Sequence, residues 1–197
     1  MLYKLKILMN SVPLFLLWII VKENKNIKLI EQDMLVWLRI NHRKDDFNYS
    51  SFVWLILKCV TFRNILYYRI GKISVPFRYF FRPLNSLYID TKKIGGGLYI
   101  QHGFATIIAA KLIGENCWIN QQVTIGFSNL HDAPVIGNNV TINAGAKVIG
   151  GITIGNNSKI GAGTVVVKNV PANCTVVGSE AYIVRRDGIK VDREPLV

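Results

Sequence analysis

The stretch VIGNNVTINAGAKVIGGITIGNNSKIGAGTVV, residues 135–166, repeats an aliphatic residue every six positions. Glycine, asparagine or another small residue commonly follows it, and these residues suit a sharp corner because they tolerate positive φ. A strand of a few residues followed by a corner repeats at six, whereas an amphipathic helix does not. The stretch therefore predicts a solenoid in which each coil buries its aliphatic side chains against the neighbouring coils.

The same ladder extends back to residue 94. Most steps are six residues long, but a step of seven ends at Ile107 and a step of eleven separates Ile125 from Ile136. The long step contains FSNLHDAPV, residues 127–135, which we interpret as a loop of the kind that often carries functional side chains. The predicted ladder positions are Ile94, Ile100, Ile107, Ile113, Ile119, Ile125, Ile136, Ile142, Val148, Ile154, Ile160 and Val166.

The chain before the ladder has a different pattern, and it predicts a helical region. Apolar residues at helical spacing indicate a helix at Glu31–Asn41. A second helix is expected from a cap at Ser50 or Ser51 to a stop at Gly71 or Lys72. The predicted domains are a helical region at 1–89, a β-helix at 90–183 and a tail at 184–197.

An apolar run, residues 7–21, precedes the predicted helices and follows Lys4 and Lys6. It is short for a membrane-spanning helix, and no small-residue cleavage site follows it. The run fits either a helix on a membrane surface or a segment buried in the core or in an oligomer interface. Peripheral membrane contact through residues 1–25 is thus one expectation.

Charge and cysteine content limit the classes of function. The net charge is +12, and residues 1–90 hold most of the basic excess. Such a surface attracts polyanions, but no RNP, zinc-finger or helix-turn-helix motif supports nucleic-acid binding. Three widely spaced cysteines without a CxxC pair favour a reducing compartment over disulfides. We expect a cytoplasmic protein, with the inner face of the membrane as a further option.

The chain from about residue 60 to 185 resembles the serine acetyltransferase branch of the left-handed β-helix acyltransferases, including members from bacterial surface-polysaccharide gene clusters. The resemblance is carried by FRNILYYRIGK (62–72), by LYIQHG (98–103) and by the hexad repeats. It implies a mainly β fold, a left-handed parallel β-helix with an N-terminal helical region. It also implies a homotrimer that uses acetyl-CoA as acyl donor.

Three residues are candidates for the chemistry, which needs a base to take the proton of a hydroxyl as it attacks a thioester. His102 stands at the position of the family's catalytic histidine, and histidine is a common general base. His131, in the predicted loop, corresponds to a second site histidine, although the preceding arginine of the family is absent. Asp90 is the candidate to orient the imidazole if a short deletion is allowed. Each has a simpler alternative, as a solvated corner or loop residue or a turn cap.

The resemblance also suggests where acetyl-CoA binds. Small residues in NAGAK (143–147) and GAG (161–163) match the family's track for the pantetheine arm, and lysines could face the phosphates. The same glycines fit plain solenoid corners. The predicted donor-binding residues are Ala144, Gly145, Ala146, Lys147, Gly161, Ala162 and Lys168.

The acceptor is less well defined. Gln101 stands where the family commonly has an aspartate for serine, and a site without that charge should bind a zwitterion poorly. Asp45 and Asp46 lie near the position of another serine-binding aspartate. A sugar hydroxyl in surface-polysaccharide assembly is the first expectation and free serine the second.

A zinc β-helix would need three histidine ligands, and the predicted solenoid has only two, so no metal is expected. A structural trimer without catalytic activity is the remaining alternative.

Overall fold

A computed structural model of the chain describes residues 11–44, 46–130, 132–178, 182–186 and 189–195. Within these residues, five helices precede a parallel β-helix, and an antiparallel hairpin follows it. The helices are α1 (Ser11–Lys22), α2 (Ile27–Ile40), α3 (Tyr49–Lys58), α4 (Val60–Ile70) and α5 (Phe77–Phe80), with a 3-10 turn at Gly71–Ser74. The predicted mainly β fold with an N-terminal helical region is confirmed.

The β-helix has three faces, which the chain visits in the order A, B, C in each coil. Face A contains β1 (Leu87–Ile89), β3 (Thr106–Ile108), β6 (Thr124–Gly126), β9 (Lys147–Ile149) and β12 (Val165–Val166). Face B contains β4 (Leu112–Ile113), β7 (Val135–Ile136) and β10 (Thr153–Ile154). Face C contains β2 (Tyr99–Ile100), β5 (Trp118–Ile119), β8 (Thr141–Ile142), β11 (Lys159–Ile160) and β13 (Thr175–Val176). The hairpin pairs β14 (Tyr182–Arg186) with β15 (Ile189–Pro195).

The inward-facing ladder follows the predicted hexads with one correction. Ile107 was predicted to lie on the ladder, but its side chain is 45% exposed, whereas Ile108 is fully buried and pairs with Ile125. The step after Ile100 is therefore eight residues, and the step from Ile108 to Ile113 is five. The two extra residues lie in the corner between faces C and A, where the sequence had predicted a step of seven.

Corners of the coils use left-handed backbone conformations. Between faces B and C this position is asparagine in four successive coils, with φ between 54° and 61° at Asn116, Asn139, Asn157 and Asn173. The side chains stack as well, since Asn139 Nδ2 donates to Asn157 Oδ1 at 3.0 Å and Asn157 Nδ2 donates to Asn173 Oδ1 at 2.9 Å. Asparagine tolerates this conformation better than most residues with a side chain. Its recurrence therefore favours the same corner conformation in each of these coils.

The second predicted helix is two helices, α3 and α4. The predicted cap at Ser50 or Ser51 was wrong, because the side chain of Asn48 accepts a hydrogen bond from the backbone N–H of Ser51 at 2.9 Å. The chain is extended at Cys59, and the guanidinium of Arg63 donates to backbone carbonyls in the last turn of α3. A helix end whose free carbonyls are satisfied by a side chain is a stable stopping point. The predicted end at Gly71 is confirmed, with φ at 67°.

An ion pair between Asp33 of α2 and Arg69 of α4 joins the helical region to the first coil. Both residues are buried, and Arg69 Nε lies 2.9 Å from Asp33 Oδ2. The same guanidinium donates to the carbonyls of Ile94 and Gly95, each at 2.6 Å. Asp33 Oδ1 accepts from the backbone N–H of Leu98 at 3.0 Å. Burial raises the pKa of Asp33, and the guanidinium opposes that effect.

The apolar run gives α1, which packs Leu14, Leu17 and Val21 into the core. Among the helices formed by the described residues, none has both the length and the hydrophobicity required to cross a membrane. The helices and the β-helix share one hydrophobic core, in which Trp37 contacts Tyr99 at 4.5 Å between ring centroids. The helical region therefore packs directly on the first coil of the solenoid.

Candidate active site

His102 lies in the enlarged corner between faces C and A of the first coil. We call the column of corners between these two faces edge CA. Its φ is 60°, and Gly103 and Ala105 are also left-handed, at 65° and 50°. The backbone N–H of Gly103 donates to the carbonyl of Gln101 at 2.7 Å, which makes the turn tight. The extra corner residues project the imidazole out of the repeat, and His102 is exposed. A base at this position can reach a ligand on the surface.

Helix α4 supports this corner from below. Thr61 is buried, and its hydroxyl donates to the carbonyl of Ile100 at 2.9 Å. Gly103 is also buried, and a Cβ at that residue would come within 2.7 Å of the Thr61 methyl group. Only glycine fits both this close approach and the positive φ. The helical region thus fixes the backbone on which His102 is carried.

The corners of edge CA stack from coil to coil, and the predicted small residues for acetyl-CoA lie on the same edge as His102. Each coil advances the edge by about 4.8 Å, so residue 144 stands about 10 Å from the histidine corner along the edge and residue 162 about 14 Å. Three backbone hydrogen bonds define the stack: Gln122 N to Phe104 O at 2.9 Å, Gly145 N to Gln121 O at 3.0 Å, and Gly163 N to Ala144 O at 2.9 Å.

Side chains on edge CA become smaller with distance from the histidine. The first two coils present Phe104 and then Gln121 and Gln122, whereas the next two present alanine and glycine. Ala162 is exposed, and Ala144 is half-buried. A narrow ligand can therefore approach the backbone of the upper coils and meet larger side chains near His102.

The predicted donor-binding residues do not all lie on this edge. Ala146 is fully buried and has no surface for a ligand. Lys147 is exposed on face A, where it begins β9, and Lys168 is exposed after β12, towards face B. The structure groups Ala144, Gly145, Gly161 and Ala162 on edge CA and puts the two lysines on one side of it, so phosphate contacts by the lysines stay a prediction.

Gln101 is held by an aromatic side chain of the next coil. The indole Nε1 of Trp118 donates to Gln101 Oε1 at 3.2 Å and to Asn120 Oδ1 at 2.7 Å. The rings of Trp118 and Tyr99 also meet edge to face at 4.7 Å. The residue before the histidine is thus a positioned neutral amide beside edge CA.

Asp90 is not brought next to His102 within the chain. Its backbone N–H donates to the carbonyl of Ile108 at 2.8 Å, and the register of β1 and β3 puts it beside Ala109. Strand β3, about 10 Å long, separates this position from the histidine corner. The orienting role of Asp90 stays a prediction. Within one chain it could not rest on a direct contact between Asp90 and His102.

The predicted loop between Ile125 and Ile136 leaves the solenoid at the corner between faces A and B. Asp132 closes it by accepting hydrogen bonds from the backbone N–H groups of Ser128, at 2.7 Å, and Asn129, at 3.0 Å, and from the Ser128 hydroxyl. These bonds, chiefly that from the Ser128 hydroxyl, lower the pKa of Asp132. Leu130 at the tip is 92% exposed. His131 lies outside the described residues, so its role stays a prediction.

The two acidic residues expected near the acceptor lie between α2 and α3. Asp46 is half-buried and forms an ion pair with the exposed Lys44 at 3.1 Å. Asp45 lies outside the described residues. The described contacts of Asp46 are local to this loop, so its role in acceptor binding stays a prediction.

Sequence reasoning missed Gln121, Gln122 and Trp118 as neighbours of the histidine corner. Counting back from Ala144 along the ladder would have found the first two, since residues one coil apart stack on one edge. In the part of the chain that the structure describes, no three His, Cys, Asp or Glu side chains lie close enough together to hold a metal ion. As far as the described residues form it, the site consists of one imidazole, neutral polar groups and a row of small residues.

Comparison with known proteins places this arrangement in a recognised class of fold. Residues 133–168 match the family described as "Bacterial transferase hexapeptide (six repeats)". The chain is therefore a parallel β-helix of hexapeptide-repeat type with N-terminal helices.

More specific similarity is to serine acetyltransferases. The chain is 42% identical over 104 residues to the serine acetyltransferase of Synechococcus elongatus, covering 51% of this chain and 43% of that protein. It is 45% identical over 105 residues to that of Staphylococcus aureus, covering 51% and 49%. The chain thus spans less than half the length of these two relatives.

Solved structures extend the similarity to the helical region. The crystal structure of Neisseria gonorrhoeae serine acetyltransferase in complex with serine has 30% identity and a TM-score of 0.60, covering 77% of this chain and 66% of that one. The serine acetyltransferase of Brucella abortus has 25% identity and a TM-score of 0.61, covering 90% and 70%. The expected relation to serine acetyltransferases is supported, whereas these relatives give no support to its polysaccharide-cluster part.

Proposed function

We propose that this chain is an acetyl-CoA-dependent O-acetyltransferase in which His102 is the base. The observation that carries the proposal is edge CA, where the exposed histidine corner and the small-residue corners of Ala144 and Ala162 follow one another at about 4.8 Å per coil. A thioester lying along the small residues can bring its carbonyl carbon towards the imidazole. The relatives named above support the same reaction class.

In the proposed reaction His102 takes the proton from the acceptor hydroxyl while the oxygen attacks the thioester carbonyl carbon. The tetrahedral intermediate collapses with cleavage of the carbon–sulfur bond, and the imidazolium returns its proton to the CoA thiolate. The products are an O-acetyl ester and free CoA. A positioned general base contributes about 10²–10⁴ in rate.

Free serine is the acceptor that the relatives favour, since both curated relatives are named serine acetyltransferases and a solved one contains serine. This reverses the order of the two acceptors expected from the sequence. One observation favours a sugar hydroxyl as the second candidate. Gln101 is a neutral amide hydrogen-bonded to Trp118, and it cannot pair with the ammonium group of serine as a carboxylate would.

The assembly and location belong to the same proposal. In a homotrimer, the loop of one chain, whose sequence contains His131, would approach edge CA of a neighbouring chain. The site would then be completed between subunits. Free thiols at Cys59, Cys117 and Cys174 fit the reducing cytoplasm.

The test is release of CoA thiol from acetyl-CoA by the purified chain, with L-serine or a panel of nucleotide sugars as acceptor and mass spectrometry of the product. His102→Ala should lower the rate by at least about 100-fold. The matched control is His42→Ala, because His42 is also exposed with a left-handed backbone, at φ 54°, but lies after α2.

Serine-dependent release that requires His102 and yields O-acetylserine would support the serine acceptor. Release only with a sugar would reverse that choice and keep the reaction class. Equal release by wild type and His102→Ala would remove the histidine from the mechanism. Absence of acetyl-CoA binding would favour a structural β-helix.

A further inference from the structure

Helix α1 is apolar on two sides, and among the described residues only one of these sides is buried. Leu14, Leu17 and Val21 are fully buried in the core. On the other side Val12 and Phe15 are 66% and 56% exposed, and Leu16 and Ile19 are 49% and 44% exposed. A helix on the surface of a globular protein normally carries polar residues on its outer side. The outer side of α1 therefore suits an apolar environment.

A second group of exposed apolar residues lies on the neighbouring element. Helix α5 packs beside α1, and its Tyr79 and Phe80 are 79% and 52% exposed, with Val75 just before it at 59%. Together the two elements present a surface that we call the apolar platform. Its members are Val12, Phe15, Leu16, Ile19, Val75, Tyr79 and Phe80. Grouped exposure of this kind marks an interaction surface, unlike single exposed apolar residues.

Basic residues outnumber acidic ones around the platform, although Glu23 is exposed directly after α1. Residues 47–89 contain no aspartate or glutamate. Lys72, Arg78 and Arg82 are exposed beside or within the segment that carries α5, and Lys22 ends α1. Lysine and arginine around exposed tyrosine and phenylalanine complement an anionic lipid surface, where the aromatic rings enter the headgroup region.

The dimensions of α1 fit a helix that lies on a bilayer. Its 12 residues are about 18 Å long, against a hydrocarbon core of about 30 Å. A helix in the interface plane buries one apolar side at the boundary of headgroups and acyl chains. The buried side of α1 stays packed in the protein, so docking through the outer side needs no rearrangement of the core.

We propose that the apolar platform docks the protein on an anionic lipid bilayer, with α1 parallel to the membrane plane. The basic residues contact lipid phosphates, and the outer side chains of α1 and α5 enter the interface. This inference does not depend on the proposed function, because none of the platform residues belongs to the histidine corner or to edge CA.

The experiment is flotation of the full chain with vesicles of phosphatidylcholine alone and of phosphatidylcholine with one quarter phosphatidylglycerol. We expect binding to the anionic vesicles, weakened severalfold between 0.05 and 0.5 M salt as lipid charges are screened. The triple variant Phe15→Gln/Leu16→Gln/Ile19→Gln should lower the partition coefficient by at least about 100-fold, because three apolar side chains lose their favourable transfer.

A matched control changes three exposed apolar residues elsewhere, Val167→Gln, Val177→Gln and Ile189→Gln, on the β-helix and the hairpin. The control should bind as wild type, and circular dichroism should give the same spectrum for all three proteins. Binding that is equal for wild type and triple variant, or absent from anionic vesicles, would overturn the proposal.

Two other occupants of the platform have distinct outcomes. If the triple variant has a smaller mass than wild type by light scattering without lipid, the platform is a contact between copies of the chain. If vesicles bind only after residues 1–10 are removed, that segment covers the platform. Either result would overturn lipid docking.

Discussion

Replacement of Arg69 by methionine should destabilise the protein by about 3–5 kcal/mol. The substitution keeps most of the apolar volume but leaves the Asp33 carboxylate buried without its partner, and breaking one side of a buried ion pair has this cost. The carbonyls of Ile94 and Gly95 also lose their donors. Asp33→Leu should cost a similar amount, because it leaves the guanidinium unpaired.

The double variant Arg69→Met/Asp33→Leu should be much less unstable than the sum of the two single variants. No buried charge remains, and the loss is limited to hydrogen bonds of the backbone groups, each worth about 1 kcal/mol. We therefore expect a double variant about 2–4 kcal/mol less stable than wild type, with a coupling energy of about 2 kcal/mol or more.

Urea unfolding at fixed protein concentration would measure these values, with circular dichroism for the whole chain and tryptophan fluorescence for the junction. Trp37 reports there because its indole Nε1 donates to the carbonyl of Leu98 at 2.9 Å. A single variant that costs less than about 1 kcal/mol would refute the reasoning. A double variant whose loss of stability equals the sum of the two single losses would also refute it.

Further predictions concern the histidine corner and one thiol. Gln101→Asp should lower KM for L-serine by about 10-fold or more through a charge-assisted hydrogen bond to its ammonium group, and steady-state kinetics would contradict this if KM rose. Gly103→Ala should lower kcat with a folded protein, because the new Cβ meets Thr61 and displaces His102; an unchanged kcat would show that the corner tolerates the shift. Burial raises the pKa of Cys117 from 9.0 to about 11, so the unfolded chain loses this proton first as pH rises. The free energy of unfolding should therefore fall by about 2 kcal/mol between pH 8 and 10.5 through this group. Over this range wild type should lose more stability than Cys117→Ala.

The β-helix was predictable because its determinants are local. Each hexad contains its own buried aliphatic residue and its own corner, so the period in the sequence reports directly on the coils. The ladder failed only at Ile107, where the corner contains two extra residues and a second isoleucine follows. Two adjacent isoleucines cannot be distinguished by type, and only pairing with Ile125 selects Ile108.

The helical region was less predictable, because its boundaries depend on distant contacts. The break at Cys59 follows from Arg63, whose guanidinium reaches back to carbonyls of the preceding helix. The ion pair of Asp33 with Arg69 joins residues 36 positions apart, and no local pattern indicates it.

The candidate site residues also differ in whether a local pattern or a distant contact determines their position. Stacking on edge CA could be counted from the repeat, and it groups Ala144 and Ala162 with His102. The separation of Asp90 from His102 could not, because it depends on the short step between Ile89 and Ile94 and on the enlarged corner. Gln101 was recognised by its position, but its hydrogen bond to Trp118 required the register of β2 and β5.

If the proposed function is right, edge CA acts as a ruler for the acyl donor. The spacing between the imidazole and the small-residue corners is set by a whole number of coils, and it cannot change by less than about 4.8 Å without breaking the ladder. Duplication of the coil between Gln121 and Ala144 would shift the donor by one such unit and separate binding from chemistry. Duplication above Ala162 would leave the distance to His102 intact. The repeat thus allows the distance between the imidazole and the small-residue corners to change only in steps of one coil.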